Sequence, residues 1–244
     1  MTFAVRAGRP IAVSWARDAD EVRQAQRLRF SVFAGEMGAM LRTPLPGHDI
    51  DRFDDYCEHL LVRDAASQEV VGTYRVLTPG QALRAGGTYT ATEFNLAPLG
   101  AISSRMAELG RSCVHADYRQ GAVILALWSA LASFMDARGL DTMIGCASMP
   151  LHGGGCAAGV WDRVRRTHLA PAPLQVQPLV PLPIFEEVDV AGAEPPALIR
   201  GYLHLGAKVL GPPAWDAEFQ TADLPLLMRM ADMPPRYRRQ HARA

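Results

Sequence analysis

Several protein classes are excluded by what this chain lacks. It has only four cysteines in 244 residues, Cys57, Cys113, Cys146 and Cys156. None form a C-x-x-C pair, and no Cys/His set has zinc spacing, so no metal is expected. Reduced thiols in a reducing compartment fit this usage. Net charge is also missing: 25 Lys+Arg balance 25 Asp+Glu, whereas a general nucleic-acid binder is basic overall. The N-terminus has no long apolar h-region and makes a poor signal peptide. The longest apolar stretch, "GAVILALWSALASFM", is too short to span a bilayer and follows a turn. Any membrane association is therefore expected to be peripheral, on the inner face, for a cytoplasmic protein. No repeat or low-complexity block is present. What charge there is lies unevenly, with a basic stretch at 22–29 and a basic tail at 235–244, and such local basic surface can meet an acidic partner or an anionic membrane.

A hydrophobic content of 49% supports a sizeable core. "IAVSWA" reads as a first strand. Residues 18–38 read as a helix, with Asp18 or Asp20 as cap, acids in the first turn and Gly38 at the end. "EHLLVRD" and "EVVGTYRVL" form a hairpin split by "AASQ". A long connection over 78–104 leads to the strand "MAELGRSCV", a helix at 118–138 and the strand "DTMIGCAS". "GVWDRVRRTHL" and "PPALIRGYLHLGA" read as helices, the latter with Pro at its start. The stretch "LQVQPLVPLPIF" is extended and broken by proline, and "AKVLG" and "ADLPLLMRM" read as late strands. This order predicts an α/β sandwich around one mostly antiparallel sheet, without the regular βαβ alternation of a doubly wound fold. One domain is expected, with a subdivision near residue 150 as the alternative.

Two ionisable residues, Glu108 and Arg111, stand on the strand that feeds the long apolar helix. Alone they support only an ion pair leading into a turn. Together with "RLRFSVF", "DIDRFDD" and "VVGTYR" they resemble the acyl-homoserine-lactone synthases. The shared pattern is an Arg four residues before a Phe (Arg29, Phe33), a D-x-x-D pair (Asp51, Asp54), an Arg late in a strand (Arg75), and E-x-x-R (Glu108, Arg111). The closer resemblance is to the ornithine N-acyltransferases of ornithine-lipid synthesis, sometimes labelled haemolysin-like. It is carried by "FDDYCEHLLVRD", "ELGRSCVHADYRQG", "IGCASM", "PLPIF", "GYLHLGAKVLGPPAWDAEF" and "ADLPLLM", over roughly residues 20–230.

This resemblance implies a GNAT-like fold and transfer of a 3-hydroxy fatty acyl chain from acyl carrier protein to the α-amino group of L-ornithine, yielding lyso-ornithine lipid. The implied partners are acyl carrier protein and ornithine, with no cofactor beyond the carrier's phosphopantetheine arm. Compared with the usual R/Q-x-x-G-x-G/A loop of GNAT enzymes, "RQGA" (Arg119, Gln120, Gly121, Ala122) is shortened. That suits the single phosphate of a carrier-bound arm better than the pyrophosphate of coenzyme A.

The chemistry assigns further expectations. A thioester-to-amide transfer needs a neutral amine, a donor for the oxyanion and a leaving thiolate. Glu108 is the candidate for handling the amine through water. The backbone of Ser112, Cys113 and Val114, carried over from the GNAT strand, is the candidate for polarising the carbonyl. One of Arg29, Arg75 and Arg111 can bind the ornithine carboxylate while the others lock Asp51, Asp54 and Glu108, and the acids of "DIDRFDD" can pair with the second ammonium. Cys113 has no evident His–acid partner that would make it a nucleophile. Arg163, Arg165, Arg166 and the tail are candidates for docking the acidic carrier protein. The alternative readings are another carrier-dependent N-acyltransferase, making a lactone or an N-acyl amino acid, and a non-enzymatic membrane-surface protein.

Overall fold

The computed structural model describes residues 2–3, 9–151, 157–183 and 193–234. Cys156, the end of the proline-broken stretch and the basic tail at 235–244 lie outside the described residues. In chain order the elements are β1 (Thr2–Phe3), β2 (Ile11–Trp15), α1 (Ala19–Phe30), a π-helical turn (Ser31–Glu36), β3 (Glu58–Asp64) and β4 (Val70–Leu77). Then come α2 (Pro79–Arg84), α3 (Thr90–Glu93), β5 (Phe94–Asn95), β6 (Met106–Val114), α4 (Ala122–Ala137), β7 (Thr142–Pro150) and α5 (Ala157–Thr167). The chain ends with β8 (Gln177–Pro178), α6 (Ala197–His204), β9 (Lys208–Val209), β10 (Ala214–Asp216) and β11 (Thr221–Arg229). This is the mixed α/β arrangement, mostly antiparallel, that the order of patterns predicts.

The chain forms two compact units. The first takes residues up to 86 together with 109–140, and the second takes 87–108 and residues from 141 on. The chain passes from one to the other within β6, between Glu108 and Leu109.

In the first unit β1, β2, β3 and β4 pair in sequence, each antiparallel to the next, and β4 neighbours β6. α1 begins where expected: the Asp18 side chain accepts from the Glu21 amide at 2.9 Å, satisfying one of the donors a helix start leaves open. α4 packs on β2, β3 and β4. Its Val123, Leu127, Leu131, Phe134 and Met135 are buried, as are Leu60, Leu61 and Val62 of β3, and Trp15 meets Phe134 with ring centroids 4.5 Å apart. Burying a Leu-sized side chain is worth about 1.5–3 kcal/mol, so this face is the unit's main source of cohesion. The helix lies close to the sheet because Gly72 of β4 has no side chain: a Cβ there would come 2.3 Å from Val123 Cγ1.

In the second unit β6 pairs parallel with β7 from Met106 to Glu108, and β7 pairs antiparallel with β11 along nine residue pairs. β9 and β10 flank β11. One apolar cluster joins Val160 and Val164 of α5 with Ile199, Leu224 and Leu226. Another joins Phe94, Met106, Ile144, Val176, Leu210 and Leu227. β1, β5 and β10 have no counterpart among the sequence patterns, while α2 and α3 are short helices within the long connection over 78–104.

Candidate active site

In the first unit, α1 delivers Arg29 from its last turn, β4 delivers Arg75, and β6 delivers Arg111. The loop at 49–55 supplies Asp49, Asp51 and Asp54. Arg29 donates from Nε to Asp49 Oδ2 and from Nη2 to Asp54 Oδ2, both at 2.8 Å, and from Nη2 to the Asp49 carbonyl at 2.5 Å. Arg75 Nη1 reaches Asp51 Oδ1 at 2.6 Å and Asp54 Oδ1 at 3.2 Å. Arg111 Nη2 donates to Asp51 Oδ2 at 3.0 Å, with its Nε 3.8 Å from Asp49 Oδ2. Three guanidinium groups thus meet three carboxylates, and the charges balance. Arg29 is fully buried and Asp51 is the most open of the carboxylates, its side chain 20% exposed.

The loop is shaped for this task. The Phe53 amide donates to Asp51 Oδ1 at 2.8 Å, the Asp51 amide donates to Asp54 Oδ2 at 3.1 Å, and His59 Nε2 lies 3.0 Å from the Asp54 carbonyl. Burial works to raise the Asp51 carboxyl, but Arg75 and Arg111 overcome it and hold the group well below the ordinary carboxylate range. Burial likewise opposes ionisation of Asp54, and Arg29 and Arg75 bring it down. Burial would lower Arg75, yet Asp51 and Asp54 raise it. His59 is lowered, first by burial, and stays neutral. Of the two uses expected for the arginines, the geometry shows the locking of Asp51 and Asp54. Of the acids expected for a second ammonium, Asp49, Asp51 and Asp54 face guanidinium groups, and Asp55 is exposed.

Phe33 is buried in the π-helical turn that follows Arg29. Arg111 has φ +52°, in the left-handed region that non-glycine residues seldom occupy. Such a residue costs about 1–3 kcal/mol and persists only when its surroundings over-determine it. Here the carboxylates of the 49–54 loop do so. The left-handed residue interrupts the strand's alternation just before Ser112, Cys113 and Val114. Burial pushes the Cys113 thiol up to about 12, so it is no nucleophile at neutral pH.

Beyond β6, Arg119 donates to the Val114 carbonyl at 3.0 Å and to Glu36 Oε2 at 2.6 Å. Gln120 donates to the Asp117 carbonyl at 2.9 Å. Gly121 has φ +96° and opens α4 at Ala122, and no side chain caps that start. The first amides of this 16-residue helix are left without a side-chain cap, as a helix start that can receive an anion is. A separate cavity of about 510 Å³ in this unit is lined by Arg9, Arg27, Glu69, His115 and Tyr118, and includes none of the expected site residues.

In the second unit Glu108 accepts the Thr90 amide on Oε1 at 2.6 Å and the Tyr89 amide on Oε2 at 2.8 Å. The carboxylate thereby caps α3. At the other end of α3 stands Glu93, a residue no sequence pattern picked out. The donor atoms of Glu93, Cys146 of β7 and Asp223 of β11 lie within 4.8 Å of one another, close enough to surround a small cation. Tyr89 OH donates to Asp216 Oδ2 at 3.0 Å, and Thr221 Oγ1 donates to Asp223 Oδ1 at 2.8 Å. Burial first, then Asp223 and Asp216, push the Glu93 carboxyl up to about 8. The arginines expected to dock a carrier already have acidic partners: Arg163 meets Glu194 at 2.5 Å, and Arg165 and Arg166 meet Asp162.

Residues 28–129 match the model of the acetyltransferase (GNAT) domain family. A protein of Rhodobacter capsulatus named "L-ornithine N(alpha)-acyltransferase" is 37% identical over 93% of this chain and 93% of its own length. A protein of the same name from Brucella abortus is 33% identical over 93% of this chain and 87% of its own. Among solved structures, the CoA-dependent acyl-homoserine lactone synthase BjaI superposes with a TM-score of 0.54 at 18% identity, covering 90% of this chain and 80% of that one. FeeM, an N-acyl amino acid synthase from uncultured soil microbes, does so at 0.54 and 10%, covering 91% and 94%. These two likenesses concern the fold.

Proposed function

The chain belongs to the L-ornithine N(alpha)-acyltransferase family, and from that premise we propose that it joins a 3-hydroxy fatty acyl chain to the α-amino group of L-ornithine. Kinship over nearly the whole chain carries this reading. The acyl donor in the proposal is acyl carrier protein, and the product is lyso-ornithine lipid.

The reaction forms a C–N bond and breaks a C–S bond. Of the three protons on the α-ammonium, one stays on the amide, one goes to the departing thiolate and one leaves by way of a base or water. The first unit serves the donor. Arg119, Gln120, Gly121 and the uncapped start of α4 hold the phosphate of the arm. The backbone at Ser112–Val114 polarises the thioester carbonyl, and the Arg29, Asp51, Asp54, Arg75 and Arg111 network holds that stretch of β6 in place, with Phe33 buried in the turn after Arg29. Glu108 anchors α3 through two amides and acts on the amine through water. A brief membrane contact fits a lipid product. No helix among the described residues is long and apolar enough to cross a membrane, and Leu179 and Val180 of the proline-rich stretch are 56% and 57% exposed, which supports a membrane-facing edge there.

Purified chain is to be incubated with 3-hydroxyacyl carrier protein and, separately, ornithine, S-adenosylmethionine or tyrosine, with products read by mass spectrometry. N-acyl ornithine is the expected product. Activity on S-adenosylmethionine or tyrosine without activity on ornithine overturns the reading.

A further inference from the structure

Glu93 is a half-buried residue whose carboxylate oxygens the second unit leaves unsatisfied. Both of its oxygens are shut off from solvent, and neither receives a hydrogen bond among the described residues. The Cys146 thiol and the Tyr89 hydroxyl face it without completing hydrogen-bond geometry. Asp223 of β11 and Cys146 of β7 converge on it within 4.8 Å, and Asp216 of β10 adds a further negative charge to its surroundings. Leaving a carboxylate buried and unpaired is costly, and the group either takes a proton or waits for a cation. With its carboxyl pushed to about 8 by burial, Asp223 and Asp216, Glu93 holds a proton at neutral pH when the site is empty.

We propose that Glu93, with Asp223 across from it, receives the side-chain ammonium of a diamino acid and so sets which amine is accepted. The inference rests on the acyl-transfer reading above and deepens it. The choice between the two ammonium groups of ornithine follows from the chemistry. A site that stabilises positive charge keeps an amine protonated, and a protonated α-amine cannot attack. The group that stays charged throughout the reaction is the side-chain ammonium, and a pocket of anions suits it. A zinc-like ion fits the donors less well. Burial, then Glu93, Asp223 and Glu108, hold the Cys146 thiol well above its ordinary range, against the thiolate such an ion needs. Glu108 contributes by capping α3, which fixes Glu93 at the helix's far end. A carboxylate meant for water would lie open on such a short helix; this one is turned inward between β7 and β11.

The test compares ornithine with norvaline, the same amino acid without the side-chain amine, in wild type and Glu93→Gln. Wild type prefers ornithine, and the substitution lowers that preference about tenfold or more, with the loss carried by KM. The wild-type KM for ornithine falls more steeply than that for norvaline as pH rises from 7 to 9, and this difference is absent in Glu93→Gln. A second measurement needs no variant. Calorimetric titration of the wild-type chain with ornithine at pH 7, in two buffers of different ionisation enthalpy, shows release of about one proton, and norvaline releases none. An unchanged preference in folded Glu93→Gln, or no proton release, overturns the proposal and leaves acyl transfer to ornithine standing. Activity lost to EDTA and restored by Zn²⁺ assigns the donors to a metal and overturns the ammonium. Failure of wild type to acylate ornithine at all overturns both readings.

Discussion

Asp54 and Glu93 are both buried carboxylic acids, and their neighbours drive them in opposite directions. Asp54 faces Arg29 and Arg75 and is held below its ordinary value. Glu93 faces Asp223 and Asp216 and is held at about 8. The sign for Glu93 follows from linkage. Unfolded, the group ionises near pH 4.3, but folded it keeps its proton until about 8, so its contribution falls as pH rises between the two. Glu93→Gln removes that liability. Urea unfolding is expected to show the variant more stable than wild type at pH 8, by several kcal/mol, with the gain shrinking to about 1 kcal/mol toward pH 5. An equal stability at both pH values counts against Glu93 as a buried ionisable group. A residue that makes the fold weaker where it stands is a common price of function.

At the level of elements, the sheet and the long helices were legible because their patterns are local. The Asp18 cap, the alternation in "EHLLVRD" and "VVGTYRVL", and the apolar run over 122–137 each state an element within a few residues. α3 was not legible, since "TATE" is one turn long and takes its start from Glu108, which lies 18 residues beyond Thr90. Glu93 was equally silent. A glutamate in a long connection reads as solvated, and only the return of β10 and β11 covers it. The Arg and Asp residues of the first unit were picked out by the family resemblance, but their pairing was not, because which carboxylate meets which guanidinium depends on how the 49–54 loop folds back on α1. Packing between elements also hides in the sequence. Gly72 looks like a weak point in a strand, whereas it is the place where α4 comes closest. Gly72→Ala is expected to cost about 1–3 kcal/mol by overpacking against Val123. Combining it with Val123→Ala should recover part of that loss in a double-mutant cycle; strict additivity would show that the contact does not matter.

Across the whole molecule the two units carry opposite pH signatures. In the first, Asp51 and Asp54 have folded values below the unfolded one near 3.9, so their contribution is present above that and is lost as pH falls through the folded values. In the second, Glu93 favours the protonated side. Hydrogen exchange followed by peptide mass spectrometry should therefore show β4 and α1 losing protection below about pH 4, while β7 and β11 gain protection as pH drops from 8 toward 5. Parallel changes in both units would contradict the assignment.

The six-membered network of Arg29, Arg75, Arg111, Asp49, Asp51 and Asp54 has a bearing on descent. The charge of each member is balanced chiefly by the others, and losing one of the buried members strands a charge away from water, at a cost of about 3–5 kcal/mol. No single-step path leads away from such an arrangement. In chains that diverge from this one, these six positions are expected to change together rather than singly, whereas surface positions are free of that constraint.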